Sequence, residues 1–351
     1  MAQAARDGPG DARDCEPAAV LHRPGDLRIE PRQLDRPGER EVLVKVAAVG
    51  ICGSDVHYFE HGSIGRNVIR GPHILGHEFS GRVIAAGASA ARPAIGQRVA
   101  VEPGIPCRAC AQCSDGHYNL CRDLHFLGAP PFDGALRGHI AVDAEFVFPL
   151  PDTISDQAGA LIEPLAVAVW SCRRARVSAG DRVLVTGAGP IGLLVAQVAG
   201  ARGAGEVTIV DLREQRLLVA RRLGVSRTLT AGELEGFAAE VEVDVLIECS
   251  GSATALAAGI DAVRPAGTVV VVGMSPEGSV NVRLEYLQRR ELTVTGSFRY
   301  AGCYPEAIAL AAGGRVALEP LITVHYPLHS TRAALTAGRQ DPAQIKAMVL
   351  P

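Results

Sequence analysis

The order of apolar and polar positions changes character near the middle of the chain. Up to about residue 150, apolar positions come in short, β-branched runs bounded by Gly and Pro, such as Glu41 to Val49, Phe79 to Ala85 and Gln97 to Val101. Runs of that length and composition predict a mostly antiparallel β domain. The stretch Asp156 to Arg174 then predicts one helix, with acidic and amide side chains at its start and a long apolar stripe behind. From Asp181 a different rhythm begins. DRVLVTG predicts a strand, Pro190 to Ala201 a helix, EVTIVD a strand, and Arg213 to Leu223 a helix closed by Gly224. VDVLIECSG and GTVVVVGM predict further buried strands. Strands apolar throughout, alternating with amphipathic helices, predict a parallel sheet covered on both faces. After Arg290 the pattern is mixed again. The polar stretch from Met1 to about Glu16 predicts a disordered lead-in without a signal-peptide core.

Composition narrows the functional classes. A chain of 351 residues with 48% hydrophobic and 21% charged residues reads as a two-domain globular protein. A formal charge of −3 offers no field for nucleic acid or anionic lipid. No apolar run approaches the roughly 18 residues of a membrane span, so a cytoplasmic protein is expected. Nine cysteines cannot all pair, and four stand close together, which in a reducing compartment points to metal.

Candidate chemistry lies in three places. The strand DRVLVTG runs into Gly187-Ala188-Gly189-Pro190-Ile191-Gly192, a G-x-G-x-x-G at a strand-to-helix junction. Gly187 permits a tight turn, Gly189 lets backbone N–H groups approach a pyrophosphate, and Gly192 allows close helix-on-strand packing. Asp211 ends the next strand 19 positions after Gly192, where a carboxylate accepts hydrogen bonds from ribose and repels a 2′-phosphate. NAD is therefore expected over NADP, although Arg216 stands close enough in sequence to keep the phosphate form open.

Cys107, Cys110, Cys113 and Cys121 form C-x2-C-x2-C-x7-C. Four thiolates leave zinc no open position, so the expected site is structural. Iron–sulfur ligation uses similar spacings and is the rival; the polar, loop-like segments between the cysteines favour zinc. A second, dispersed set comprises Cys52, the pair His77-Glu78, and Glu163. Three protein ligands of this kind plus water make a catalytic zinc. Spacing alone leaves the blander reading open, in which the cysteine is core and the His-Glu pair lies on the surface.

The strings GICGSDVHY, LGHEFSG, GQRVAVEPG, GHYNLC, GALIEPLAV, GAGPIG and GSFRY occur here in this order. With them the chain, from about Leu21 onward, resembles the zinc-containing medium-chain dehydrogenase/reductase family, and within it the sorbitol (polyol, xylitol) dehydrogenases. The resemblance implies an α/β protein: a GroES-like β-rich catalytic domain over residues 17–157 and 297–351, with a Rossmann domain over 158–296 between them. It implies that Cys52, His77 and Glu78 bind a catalytic Zn²⁺, with Glu163 contacting the metal or its water, and that a second Zn²⁺ sits in the four-cysteine lobe. Ser54 and His57 match the family's proton-relay positions. Tyr58, Phe126, Glu163, Arg299 and Tyr300 match its substrate pocket. Gly187, Gly189, Ile191, Gly192, Asp211, Arg216, Val272, Gly273, Met274, Ser297 and Phe298 match its NAD site. A homotetramer acting on a small polyol or ketose is implied, with L-idonate, L-threonine or 2,3-butanediol as alternative substrates and a non-catalytic nucleotide-binding relative as the rival of another class. Animal sorbitol dehydrogenases lack the full four-cysteine lobe, which implies a place nearer the bacterial branch.

Overall fold

The computed structural model describes residues 15–275, 278–341 and 343–351. Residues 1–14 of the expected lead-in lie outside that description. Cys15 and Glu16, expected at its end, instead open the strand Cys15–Arg23, and the Glu16 carboxylate accepts a hydrogen bond from the His139 backbone N–H at 2.8 Å.

Two sheets organise the chain. In the first, strands Val147–Pro149, Arg98–Val101, Glu78–Ala86, Glu41–Gly50, Lys346–Leu350 and Ile322–Pro327 lie side by side in that order, and His139–Asp143 also pairs with Glu41–Gly50. Its pairings are antiparallel except where Ile322–Pro327 meets Lys346–Leu350. The segment past residue 320 therefore returns to the sheet that the first 150 residues began. Strand Glu41–Gly50 is buried along most of its length because it is covered on both faces.

The second sheet is parallel throughout. Its six strands run in the order Arg227–Thr230, Glu206–Asp211, Arg182–Thr186, Val243–Glu248, Val263–Val271, Thr293–Gly296. Read by chain position this is 3-2-1-4-5-6, the doubly wound order with its crevice at the carboxyl ends of the central strands. Helices Ile162–Ala175 and Pro190–Ala201 pack together on one face, with Leu165, Ala166, Val169, Leu193, Leu194 and Val195 fully buried between them and the sheet. Each such leucine or valine contributes about 1.5–3 kcal/mol by leaving water. The opposite face is closed by a smaller cluster around Leu184, Leu246, Phe237 and Ile260. The expected antiparallel and parallel halves are both present.

The single helix expected over Asp156 to Arg174 is two. Helix Asp156–Ala160 stops, Leu161 interrupts it, and a second runs over Ile162–Ala175. Pro164 is the reason. It has no N–H to offer the carbonyl four residues back, and it is tolerated only in a first turn. The helix therefore restarts at Ile162, which places Glu163 in its first turn. Among the described residues, no helix is long and apolar enough to cross a membrane.

Candidate active site and metal centres

Helix Gly53–His61 begins immediately after Cys52, whose backbone N–H donates to the Asp55 carboxylate at 2.9 Å. Asp55 is fully buried and also accepts from the Gly76 N–H at 3.2 Å. Its Oδ1 lies 3.5 Å from Nδ1 of His77. This contact fixes the imidazole and leaves its other ring nitrogen for a metal, the arrangement in which a carboxylate orients a ligating histidine. The ligand atoms of Cys52, His77 and Glu78 all lie within 4.8 Å of one another. Burial works against an imidazolium at His77, yet Asp55 and Cys52 together raise it well above its ordinary value. The surroundings thus call for positive charge at that point, and a sulfur–nitrogen–oxygen donor set suits Zn²⁺.

Glu78 has a second engagement that sequence reasoning did not anticipate. Both its oxygens accept from Nζ of Lys346, at 2.8 and 2.7 Å, and both side chains are almost entirely buried. The ammonium also donates to the Ile51 carbonyl at 3.0 Å. Glu163 stands outside the 4.8 Å group; its Oε1 accepts from the Tyr300 hydroxyl at 2.7 Å. Burial, with a smaller push from Glu78 against the pull of His77, moves the Glu163 carboxyl up to about 7.

Around this centre the expected pocket residues converge unevenly. The Phe126 ring lies 5.4 Å from that of His77, and the Arg299 guanidinium stacks over Phe126 at 3.7 Å. Arg299 adopts a left-handed backbone (φ 51°), unusual for a residue with a side chain. Burial lowers its pKa, and the groups that oppose this are Tyr300, Glu163 and Tyr58. Tyr58 is buried in the same region. Ser54 sits half-buried in the first turn of helix Gly53–His61, whereas His57 is exposed, its ring 4.6 Å from that of His61.

The four cysteines of the lobe come together as expected. Sγ separations are 3.9 Å for Cys107–Cys113 and 3.5 Å for Cys110–Cys113, and the Cys107 N–H donates to Sγ of Cys121 at 3.4 Å. A tetrahedral zinc with Zn–S near 2.3 Å separates its sulfurs by roughly 3.8 Å, so the spacing fits such a centre and is far too long for a disulfide.

The glycine-rich turn has the geometry its sequence requires. Gly187 has φ 91°, and a Cβ on Gly192 would lie 1.7 Å from the Gly187 carbonyl oxygen. Gly189 precedes the first turn of helix Pro190–Ala201, and only Arg216 Nη1 approaches it, at 3.8 Å from a notional Cβ. Ile191 is partly buried against the core. Asp211 Oδ2 accepts from the Ala188 N–H at 2.7 Å, and Oδ1 from the Arg213 N–H at 2.8 Å. Arg216 is half-buried, and burial lowers its pKa against the opposing pull of Asp211. Val272 and Gly273 donate backbone bonds to the Glu248 carbonyl, and Met274 is exposed. Two positions sit less simply. The Ser297 hydroxyl faces Ser171 at 3.2 Å and its backbone N–H donates to the Val271 carbonyl at 2.9 Å, while Phe298 is largely exposed, with the Arg299 guanidinium 4.9 Å from its ring.

Sequence reasoning passed over Asp55, Glu102, Tyr118, Asn119 and Lys346. The signal for Lys346 and Glu102 was a charge directly beside an apolar run, Ala347 to Leu350 in one case and Val99 to Val101 in the other. For Asp55, Tyr118 and Asn119 it lay inside the strings GICGSDVHY and GHYNLC, where only the metal ligands and relay positions were singled out.

The alcohol dehydrogenase GroES-like domain profile matches residues 38–152, and that of the zinc-binding dehydrogenases matches residues 190–313. The chain is 42% identical to sorbitol dehydrogenase of Gallus gallus over 92% of this chain and 93% of that one. It is 37% identical to sorbitol dehydrogenase of Bacillus subtilis (strain 168) over 95% and 97%. Overall identity therefore gives no support to a place nearer the bacterial branch. A structure from Sinorhizobium meliloti 1021 assigned to the zinc-binding dehydrogenases, bound to NADP, superposes with a TM-score of 0.89 at 31% identity, covering 96% of this chain and 99% of that one. A short chain alcohol dehydrogenase from E. coli CFT073 complexed with NADH gives 0.89 at 29% identity, covering 96% and 100%. An oxidoreductase with zinc and a nicotinamide cofactor accounts for these likenesses together with the donor set and the glycine turn, and the chain belongs to the zinc-containing medium-chain dehydrogenase/reductase family, in its sorbitol dehydrogenase branch.

Proposed function

We propose that the protein oxidises a secondary alcohol of a sorbitol- or xylitol-like polyol to the ketose, and catalyses the reverse, with NAD as hydride carrier. The observation that carries this is the Arg299 guanidinium stacked on Phe126 beside Tyr300 and Glu163, next to the Cys52–His77–Glu78 donor set. A planar cation with several fixed donors suits a chain bearing many hydroxyls.

When bound, zinc held by Cys52, His77 and Glu78 supplies a Lewis acid and the nicotinamide a hydride acceptor. The chain's own side chains do the rest. A Glu163 carboxyl near 7 is matched to taking and returning a proton around neutrality. Tyr300 holds Oε1, which leaves Oε2 to face the substrate or a water. Ser54 and exposed His57 form the path by which a proton reaches solvent. Arg299, Tyr58 and Phe126 shape the pocket for the rest of the polyol.

The preference for NAD rests on Asp211, whose carboxylate meets the ribose hydroxyls and disfavours a 2′-phosphate. A second zinc is assigned to Cys107, Cys110, Cys113 and Cys121 for structure. The domain division follows the two sheets, with residues 17–157 and 297–351 forming the catalytic domain and 158–296 the Rossmann domain. The edge strand Thr293–Gly296, with Val294 exposed, supports assembly into a homotetramer, and the clustered thiols suit the reducing cytoplasm.

A purified-enzyme screen of sorbitol, xylitol, ribitol, galactitol and idonate, with NAD and NADP in parallel, tests the proposal. NADH formation with at least one polyol is expected. Turnover of simple alcohols with no polyol active would refute the substrate class.

A further inference from the structure

The lobe that carries the four cysteines touches the substrate segment directly. Between Cys113 and Cys121 the chain makes a short turn over Tyr118–Leu120, closed by the Cys121 N–H donating to the Tyr118 carbonyl at 3.0 Å. The two leading side chains of that turn leave the lobe. Asn119 is 4% exposed and its Nδ2 donates to the Phe298 carbonyl at 2.8 Å. The Tyr118 hydroxyl accepts from the Gly302 N–H at 2.6 Å and donates to Glu102 Oε1 at 2.7 Å. Phe298 and Gly302 are the two ends of a five-residue segment. Within it stand Arg299, stacked on Phe126, and Tyr300, bonded to Glu163.

That segment needs outside support. Arg299 and Gly302 both have positive φ, 51° and 61°, and a side-chain-bearing residue stays in that region only where its surroundings hold it. The lobe offers two hydrogen bonds, one at each end. Glu102, which follows the strand Arg98–Val101 and donates its N–H to the Phe146 carbonyl at 2.8 Å, braces the hydroxyl from behind.

We propose that Tyr118 and Asn119 are positioning residues for the substrate segment, so that the four-thiolate lobe governs polyol binding as well as stability. Cys113 and Cys121, holding a metal with Cys107 and Cys110, would fix the turn Tyr118–Leu120 between them. The turn fixes Phe298 and Gly302, and these set where Arg299 and Tyr300 stand. The activity arm of this inference rests on the polyol reading above; the exchange arm does not.

Tyr118→Phe in the zinc-loaded enzyme is the first test, because it removes both bonds of the hydroxyl and retains the ring packed edge-on against Phe146. Hydrogen exchange read by mass spectrometry should be about tenfold or more faster in the peptide spanning 298–302, the order one net hydrogen bond contributes, with Rossmann-domain peptides unchanged. KM for the best polyol should rise about tenfold, with KM for NAD and zinc content within about twofold, and kcat/KM for 2-butanol, which has no further hydroxyls for Arg299 to grip and feels only the Tyr300 contact to Glu163, should fall clearly less than kcat/KM for the polyol. Asn119→Ala should act in the same direction, and Cys110→Ser should speed exchange in the same peptide as lobe zinc is lost. If Cys110→Ser does not fold, the Tyr118 and Asn119 variants decide the matter alone. Unchanged exchange at 298–302 would overturn the inference. So would faster exchange accompanied by equal losses on polyol and 2-butanol. An enzyme that turns over no polyol at all would defeat the substrate reading and leave the exchange result to decide this one.

Discussion

Glu102→Gln should stabilise the protein in alkali and leave it nearly unchanged in acid. Glu102 is 1% exposed and accepts a hydrogen bond from Tyr118. Burial, which outweighs the opposing Tyr118 bond and is reinforced by Glu163, pushes its carboxyl up from 4.5 to about 8. Between those two values the folded chain keeps a proton that the unfolded chain has released. Stability therefore falls as pH rises from about 4.5 to about 8, and the full cost is present above that. A gap of about 3.5 pH units at about 1.4 kcal/mol each amounts to a cost on the order of 5 kcal/mol. Glutamine cannot ionise, and its carbonyl oxygen can still accept from Tyr118. Urea unfolding followed through Trp170, the single tryptophan, should show the variant within about 1 kcal/mol of wild type at about pH 5. At about pH 9 the variant should be roughly 3–5 kcal/mol more stable. Parallel pH dependences would refute the reasoning and mean that Glu102 ionises freely when folded.

Three further outcomes are expected. Glu163→Gln should lower kcat by about 10²–10⁴-fold, abolish the rise in oxidation rate as pH passes about 7, and leave KM for NAD within about twofold; unaltered turnover removes Glu163 from the mechanism. Asp211→Ala should raise the NADP-to-NAD ratio of kcat/KM by about 10–100-fold, the worth of one hydrogen bond to a charged group, and an unmoved ratio would dissociate Asp211 from the ribose. Gly192→Ala drives a methyl into the Gly187 carbonyl, where no rotamer relieves it. It should cost about 3 kcal/mol and weaken NAD binding more than tenfold, and a variant with wild-type melting temperature and NAD affinity would contradict the close approach.

The parallel half was legible because its central strands are buried on both faces and so carry unbroken apolar cores, such as Val245-Leu246-Ile247 in VDVLIE and Ile209-Val210 in EVTIVD. The glycine turn was legible for a similar reason: the contacts that demand glycine are local in sequence. The break at Leu161 was missed since Pro164 continues the apolar periodicity while removing one backbone donor. The site's supporting residues were harder to read. Asp55 sits 21 residues before Gly76 and Lys346 sits 268 residues beyond Glu78, and no periodicity links partners across such distances. Their only local trace is a polar side chain where an apolar one would pack. Arg299 shows the limit from the other side: the resemblance placed it in the pocket, but its left-handed backbone and the Asn119 and Tyr118 bonds around it appear only in three dimensions.

The pairing of Glu78 with Lys346 bears on the order in which the protein is made. A carboxylate so deeply enclosed cannot hold its charge without a counter-ion, and here that counter-ion is synthesised 268 residues later. The ribosome will have finished the whole nucleotide-binding half before the strand Lys346–Leu350 can slot beside Glu41–Gly50. Until then the seam beside Glu41–Gly50 is open and Glu78 lacks the partner that encloses it. The donor set begun at Cys52 is thus closed only by a strand 268 residues beyond Glu78, and a chain lacking that strand lacks part of the site.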